Sequence, residues 1–311
     1  MMPKSYKKPL CILVFLIVVF ATAATVTGIF SNAGRGPYEY TSIRGKTVMI
    51  YGKGLYKDMS AEVAPQGIAQ DYVTLFLGIP LLIISFLKAR DGSLKGKYLL
   101  AGSLGYFLVT YLFYTVMGMY NGMFLLYVIL MGSSFYSFIL VILSFHSGSL
   151  QNSFKRSVPA KITGGFLIFN SIVIGLLWLS IVVPPLFDGT VIPPQVEHYT
   201  TLIVQGLDLG ILLPGGLISG TLFIKRNRLG YLFAPVYFVF LSLLMTALSA
   251  KIVAMKMLGY NVIPAIFIIP AFNVITVICG LVLLKSIKAT LSDKETIATT
   301  ISCEPKQHHP Q

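Results

Sequence analysis

The chain has 311 residues, of which 55% are hydrophobic and only 11% charged, against about 25% charged in an average soluble domain. A water-soluble protein of this size needs far more charge to cover its surface, so a soluble enzyme or binding module is excluded and the solvent is largely lipid. The formal net charge of +13 does not point to nucleic acid, because no basic stripe is interleaved with aromatics and the basic residues gather at the ends of apolar runs.

Eight apolar runs follow one another, at 10–30, 71–87, 98–118, 123–145, 163–185, 200–224, 231–250 and 262–284. Each is near the ~20 residues a helix needs to cross a ~30 Å hydrocarbon layer. The predicted fold class is all-α, a polytopic membrane helix bundle of about eight transmembrane helices. The first run starts after Lys7 and Lys8 and passes Ala21-Thr22-Ala23, a pattern shared with secretory signals. Its apolar stretch continues through Val26, Ile29 and Phe30, long enough to span, and we read it as a retained helix. Cleavage would instead leave seven spans.

The segment 31–70 follows, with Gly34, Gly36, Gly52 and Gly54 among Tyr38, Tyr40, Tyr51 and Tyr56. Thr47-Val48-Met49-Ile50-Tyr51 predicts a short strand and Gly52-Lys53-Gly54 a turn. The segment reads as a small structured cap on the outer face. Its lone Gly-x-Gly lacks the strand-to-helix context of a phosphate loop.

Gln70-Asp71 opens the second run, with Thr74 and Gly78 on one face with Asp71, Pro80 inside and Lys88 at the end. Tyr106, Tyr111, Tyr114, Tyr120 and Tyr127 surround the third and fourth runs. Tyr120 reads as an interfacial anchor; the others read as packed or lipid-facing, with a cavity lining as the alternative. Asn170 and Asn273 are expected to hydrogen-bond between helices. The connection before the sixth run carries Asp188, Glu197 and His198, stiffened by Pro184-Pro185 and Pro193-Pro194. The sixth run places Thr201, Gln205 and Asp208 on one face, followed by Pro214, Gly215 and Ser219. Pro264 and Pro270 predict kinks in the eighth. Residues 291–311 are polar and read as a disordered cytoplasmic tail.

Of the 24 Lys and Arg, 17 fall at the N-terminus, in alternate connections or after the last run. The positive-inside rule then gives a multi-pass protein of the cytoplasmic membrane with both termini cytoplasmic. The remaining seven, Lys251 and Lys256 among them, fall outside.

The chain divides into a first four-helix half, 1–145, which includes the outer loop 31–70, and a second half, 146–290. The halves look alike and share an orientation. Asp71 precedes Lys88 by 17 residues, as Asp208 precedes Lys225, which sets both carboxylates about 25 Å above the inner boundary. Lys97-Tyr98-Leu99-Leu100-Ala101-Gly102 also resembles Gly230-Tyr231-Leu232-Phe233-Ala234-Pro235. On this alignment the two prolines, Pro80 and Pro214, fall three residues out of register. The arrangement expected is a parallel repeat about an axis along the membrane normal.

Ionisable groups inside a membrane cost roughly 2.5–3.5 kcal/mol by insertion scales unless paired or wet. The candidate substrate- or proton-binding residues are therefore Asp71 and Asp208, with Gln70, Gln205, Thr201, Thr74, Glu197 and His198 around them. Both aspartates are expected to face the bundle interior, Asp208 the more buried. The alternative is that they cap helix N-termini. No metal or cofactor is expected: Glu197 and His198 are adjacent, and Cys11, Cys279 and Cys303 lack metal spacing. No nucleophile elbow, P-loop or kinase signature occurs, which weighs against an enzyme.

The function expected is a small-solute or proton-coupled transporter or permease, since protonation of a buried carboxylate would couple to movement. The alternatives are a sensor or assembly scaffold using the outer cap, and a membrane-embedded enzyme or accessory subunit acting on lipid or envelope precursors. Expected partners are the lipid bilayer and a small solute or membrane-protein partner, with no nucleic acid.

Overall fold

The computed structural model describes residues 4–145 and 150–288. Among the described residues eight helices are long and apolar enough to cross a membrane: α1 (Ser5–Phe30), α2 (Ala64–Arg90), α3 (Leu94–Val116), α4 (Phe124–Leu143), α5 (Ala160–Phe187), α6 (Ile203–Ile224), α7 (Arg228–Met257) and α8 (Ala265–Lys285). Beside them stands one antiparallel hairpin, β1 (Tyr38–Thr41) with β2 (Thr47–Ile50). The chain is a multi-pass helical membrane protein. The expected tail at 291–311, with Cys303, lies outside the described residues.

Two helices outrun their apolar stretches. α2 begins at Ala64, before the apolar run, because the polar face of its first turns is covered: Gln70 is buried. α7 continues past Ala250 to Met257 and carries Lys251 and Lys256 in its last turns. Nothing in that stretch breaks a helix before Gly259, which has φ +86°.

α1 packs on α2 and α4, α2 on α3, and α3 on α4. α5 packs on α6, α6 on α7, and α7 on α8. α7 also lies against both α2 and α3. Gly102 on α3 makes that crossing close, since a Cβ there would stand 2.3 Å from Cβ of Val239. The interior is aromatic, with Tyr98, Tyr106, Phe107, Tyr111 and Phe238 fully buried. Phe15, Phe76, Leu125, Ile162 and Phe267 are exposed on the outside of the bundle, where lipid rather than water suits them.

α2 and α6 share a backbone device. Each widens to π geometry, over Thr74–Gly78 and Asp208–Leu212, just before Pro80 and Pro214. A proline lacks the N–H for the helical bond and crowds the carbonyl four residues back; one extra residue in the turn relieves both. The correspondence runs on at a constant offset of 134 residues (74 to 208, 90 to 224): the helices end at Arg90 and Ile224. Ser93 and Asn227 cap the next helices by accepting from Gly96 and Leu229 N–H groups. Gly96 and Gly230 press on the preceding helix, where a Cβ would meet backbone at 2.6 and 2.4 Å.

In this register Pro80 matches Pro214, Asp71 matches Gln205, and Thr74 matches Asp208. The equal 17-residue spacing to a lysine is therefore a coincidence: Lys88 lies in the last turn of its helix, whereas Lys225 lies beyond the end of its own. Measured from the helix ends at Arg90 and Ile224, Asp208 sits about one turn further along its helix than Asp71.

Of segment 31–70, residues 31–63 form the hairpin and turns, and Ala64–Gln70 opens α2. Arg44 donates to the carbonyls of Tyr199 at 2.9 Å and Thr200 at 3.0 Å, and Lys46 to that of Pro194 at 2.8 Å. The Tyr199 hydroxyl accepts from the Ser60 N–H at 3.2 Å. These bonds fasten the connection before α6 to the segment before α2. Asn273 pairs with Thr246 across α8 and α7. Asn170 departs from its expected role, since its buried Oδ1 has no partner among the described residues. Pro264 caps α8 from outside, and only Pro270 lies within that helix.

Candidate functional site

Asp71 is 1% exposed and stands well inside α2, whose N-cap is Val63. Its carboxylate caps nothing. Oδ2 accepts from the Tyr56 hydroxyl at 2.6 Å and Oδ1 from the Tyr114 hydroxyl at 3.2 Å. Gly28 on α1 gives it room, because a Cβ there would stand 1.9 Å from Oδ2. From the preceding residue, Gln70 Nε2 donates to Tyr106 at 2.8 Å and Thr110 at 3.2 Å, and one turn on Thr74 shares a 2.8 Å bond with Tyr106. Tyr111 and Tyr127 stack on each other with ring centroids 6.1 Å apart, both meet Tyr114 edge-on, and the buried Tyr111 hydroxyl has no hydrogen-bond partner among the described residues. Tyr106, Tyr111, Tyr114 and Tyr127 thus enclose one carboxylate rather than face lipid. The cap supplies a fifth tyrosine, Tyr56.

Asp208 is less buried than Asp71, the reverse of the expectation. It opens the π stretch of α6 and accepts from Trp178 Nε1 on α5 at 2.8 Å. No cap tyrosine covers it. Leu202 is the N-cap of that helix, so the capping role does not apply here either. Nearby, the Tyr237 hydroxyl donates to the Leu212 carbonyl at 2.6 Å.

The two carboxylates are linked by a residue that hydropathy places at the outer boundary. Lys251 rises from α7, which packs against both α2 and α6, and it is within electrostatic range of Asp71 and of Asp208. Its signal in the sequence is a lysine on a helical stretch with no breaker until Gly259. Lys251 also lines a cavity of about 210 Å³ with Glu62, Gln66, Tyr260 and Asn261, on a wall of Leu248, Ile252 and Met255. Neither aspartate lines the cavity itself.

The other candidates divide. Gln70 and Thr74 belong to the Asp71 network. Gln205 is half-buried on α6, and Thr201 is exposed. Glu197 and His198 sit in the fastened connection, where His198 Nε2 lies 3.1 Å from the Asp58 carbonyl. Glu197 has the left-handed φ of +49°, and its Oε2, like His198 Nδ1, is buried without a partner among the described residues. Glu197 stands within electrostatic range of Glu62 and Tyr260, which line the cavity. Burial, and secondarily Glu197, pushes the Glu62 carboxyl above its ordinary range. Among the described residues no three His, Cys, Asp or Glu converge as a metal set.

Compared with known proteins, the chain matches no family model, no curated protein and no solved structure.

Proposed function

We propose that this protein is a proton-coupled transporter or permease for a small solute, with Asp71, Lys251 and Asp208 as its coupling group. The observation that carries the reading is Lys251, one cation shared electrostatically by two carboxylates and exposed to a cavity at the cap end. One cation cannot neutralise two acids in a low-dielectric bundle; a proton or a bound solute supplies the remaining charge balance. Loading the cavity and protonating a carboxylate then become linked events.

The backbone supports movement at this level. π stretches recur at functional sites, and here they widen α2 and α6, the two helices that carry the carboxylates. The 134-residue correspondence supports two parallel four-helix repeats, an architecture found in transporters. The charge bias supports cytoplasmic termini and an outward cap, so the cavity opens outside.

Uptake into proteoliposomes tests this reading. Purified protein is reconstituted, the outside is made acidic, and radiolabelled pools of amino acids, organic acids, amines and sugars are offered in turn. One pool should accumulate with the pH gradient and not in protein-free vesicles. Asp71→Asn and Asp208→Asn should abolish that accumulation while still eluting as monodisperse protein. Failure of every pool, or full uptake by both variants, would overturn the proposal.

A further inference from the structure

We infer that the end of the bundle away from the cap carries a binding site for an anionic phospholipid, built where the link between α4 and α5 clasps the end of α8 and sets Lys155 and Lys288 on one outward face. This goes beyond the transporter reading and does not depend on it.

The clasp is an antiparallel bridge between Phe154 and Ile287. The Lys155 N–H donates to the Ser286 carbonyl at 2.9 Å, and the Lys288 N–H to the Ser153 carbonyl at 2.8 Å. Side chains alternate across such a pairing. Phe154 and Ile287 are buried, and Phe154 meets Tyr98 of α3 and Tyr231 of α7 with ring centroids 6.0 and 5.1 Å apart. The Tyr98 hydroxyl fixes that floor by donating to the Tyr231 carbonyl at 2.8 Å. Lys155 and Lys288 point the other way, and both are exposed. They are diagonal neighbours across the bridge, about 7–8 Å apart at their bases, a span that two lysine side chains close around one phosphate. The hydrogen-bonded clasp holds the two stems in place before any ligand arrives, which lowers the cost of binding. α8 starts next to Asn261 and Val262, which share the cavity with Glu62 of the cap, so its last residue, Lys285, lies at the opposite end of the bundle.

Charge, donors and apolar surface together choose the partner. Arg156 and Lys285 flank the bridge and are exposed, and no acidic residue occurs in 150–161 or in 280–288. An anion here meets four cations and no repelling carboxylate from either segment. The Lys288 ammonium gives one hydrogen bond, to the Asn152 carbonyl at 2.8 Å, and an ammonium has three to give. Basic clusters at helix ends attract anionic headgroups. Ile162 in the first turn of α5 and Leu281 and Val282 near the end of α8 are exposed, next to these cations on the side of the apolar spans. A phosphate that carries acyl chains covers the charged and the apolar surface at once, whereas a free phosphate leaves the apolar one bare.

The test is lipid retention by the full-length protein in detergent. The protein is mixed with dioleoylphosphatidylglycerol, dioleoylphosphatidylcholine or inorganic phosphate. Bound lipid is counted by native mass spectrometry, and unfolding is followed on heating. Phosphatidylglycerol should be retained and should raise the unfolding temperature, because a phosphate between the two lysines also tightens the clasp. Phosphatidylcholine and inorganic phosphate should do neither. Lys155→Gln with Lys285→Gln should weaken phosphatidylglycerol retention by at least about fivefold, the contribution of one basic residue near an anionic surface. Lys155 enters the clasp by its backbone N–H, so this variant keeps the clasp. The comparison of lipids on the unaltered protein stands even if the variant fails to fold. Lys88→Gln with Arg90→Gln removes two exposed cations from the close of α2 at the same end of the bundle and should keep full retention. Equal retention of the two phospholipids would overturn the inference. Equal losses from the two variants would overturn it too, since bulk charge would then account for the binding. Protection by inorganic phosphate alone would make the clasp a free-anion site and overturn the choice of a lipid.

Discussion

Helices α2 and α6 share a backbone device and differ in side-chain surroundings. Both widen before a proline, end 12 residues after the π stretch closes, and lead into a capped helix whose third residue is a glycine. Yet the carboxylate of α2 lies one turn nearer the cap end than that of α6. The first is held by two tyrosines under a folded cap, and the second by one indole. Carboxylates placed a turn apart lie within electrostatic range of the same neighbour, here Lys251 on α7.

The largest effect should come from breaking the tighter of the two pockets. Gly28→Val places a side chain where the Asp71 carboxylate now lies, and that carboxylate is pinned by hydrogen bonds and cannot swing away. Overpacking of this kind costs typically 1–3 kcal/mol, and loss of the Tyr56 bond adds to it. Gly210→Ala in the widened turn of α6 meets nothing within 4 Å and should be neutral. Thermal unfolding in detergent, followed by a dye that reports exposed thiols, ranks the two. A tolerated Gly28→Val would mean that Asp71 is not confined as described.

A smaller difference separates the carboxylates themselves. Asp71→Asn puts an amide donor against tyrosine hydroxyls that donate, and an unmatched buried group costs about 1–3 kcal/mol. Asp208→Asn keeps an oxygen for Trp178 and should cost less than about 1 kcal/mol. Equal losses in the two variants would erase the distinction between the enclosed and the open pocket.

Trp178 sharpens the comparison without reference to stability, because it is the one tryptophan in the chain and donates directly to Asp208. Asp208→Asn should shift its emission maximum, since a neutral amide replaces the acceptor on the indole N–H. Asp71→Asn should leave the emission in place. A shift of similar size from both would show that the pockets communicate through more than Lys251.

The spans are legible in the sequence because an apolar run of ~20 residues matches the thickness of a bilayer core, and the tyrosines and both aspartates stand out within those runs. The ends of α2 and α7 are not legible from hydropathy, since covered polar residues such as Gln70 and cavity-lining ones such as Lys251 look like interface in a linear reading. Lys251 for that reason falls among the outer charges when lysines are sorted by connection. Alignment by residue type matches Asp71 with Asp208, whereas alignment by proline gives the register of the backbone. Tyr56 lies in the cap, 15 residues from its partner, and Trp178 lies on α5, 30 residues from its own. No local pattern connects such pairs.

The smallest expected effect lies where the two regions meet. Glu62 leads into α2 and Glu197 leads into α6, and the fastened cap holds them within range of each other. Glu62 is exposed at its edge but stands against the cavity wall. Loss of water there, with Glu197 behind it, raises its carboxyl above the ordinary value of 4.5. A carboxyl raised on folding binds its proton more tightly in the folded state, so its contribution is favourable at acid pH and is lost as pH rises through the folded value. Above that point the folded protein carries an ionised, partly dehydrated carboxylate facing another. Glu62→Gln removes that repulsion, and the variant should unfold at a slightly higher temperature than the parent at about pH 7.5, with the gap closing towards about pH 4. The gain will be modest because solvent screens an exposed charge. A variant less stable than the parent at neutral pH would show that Glu62 is paired there, and that the cap holds two compatible ends together rather than two like charges.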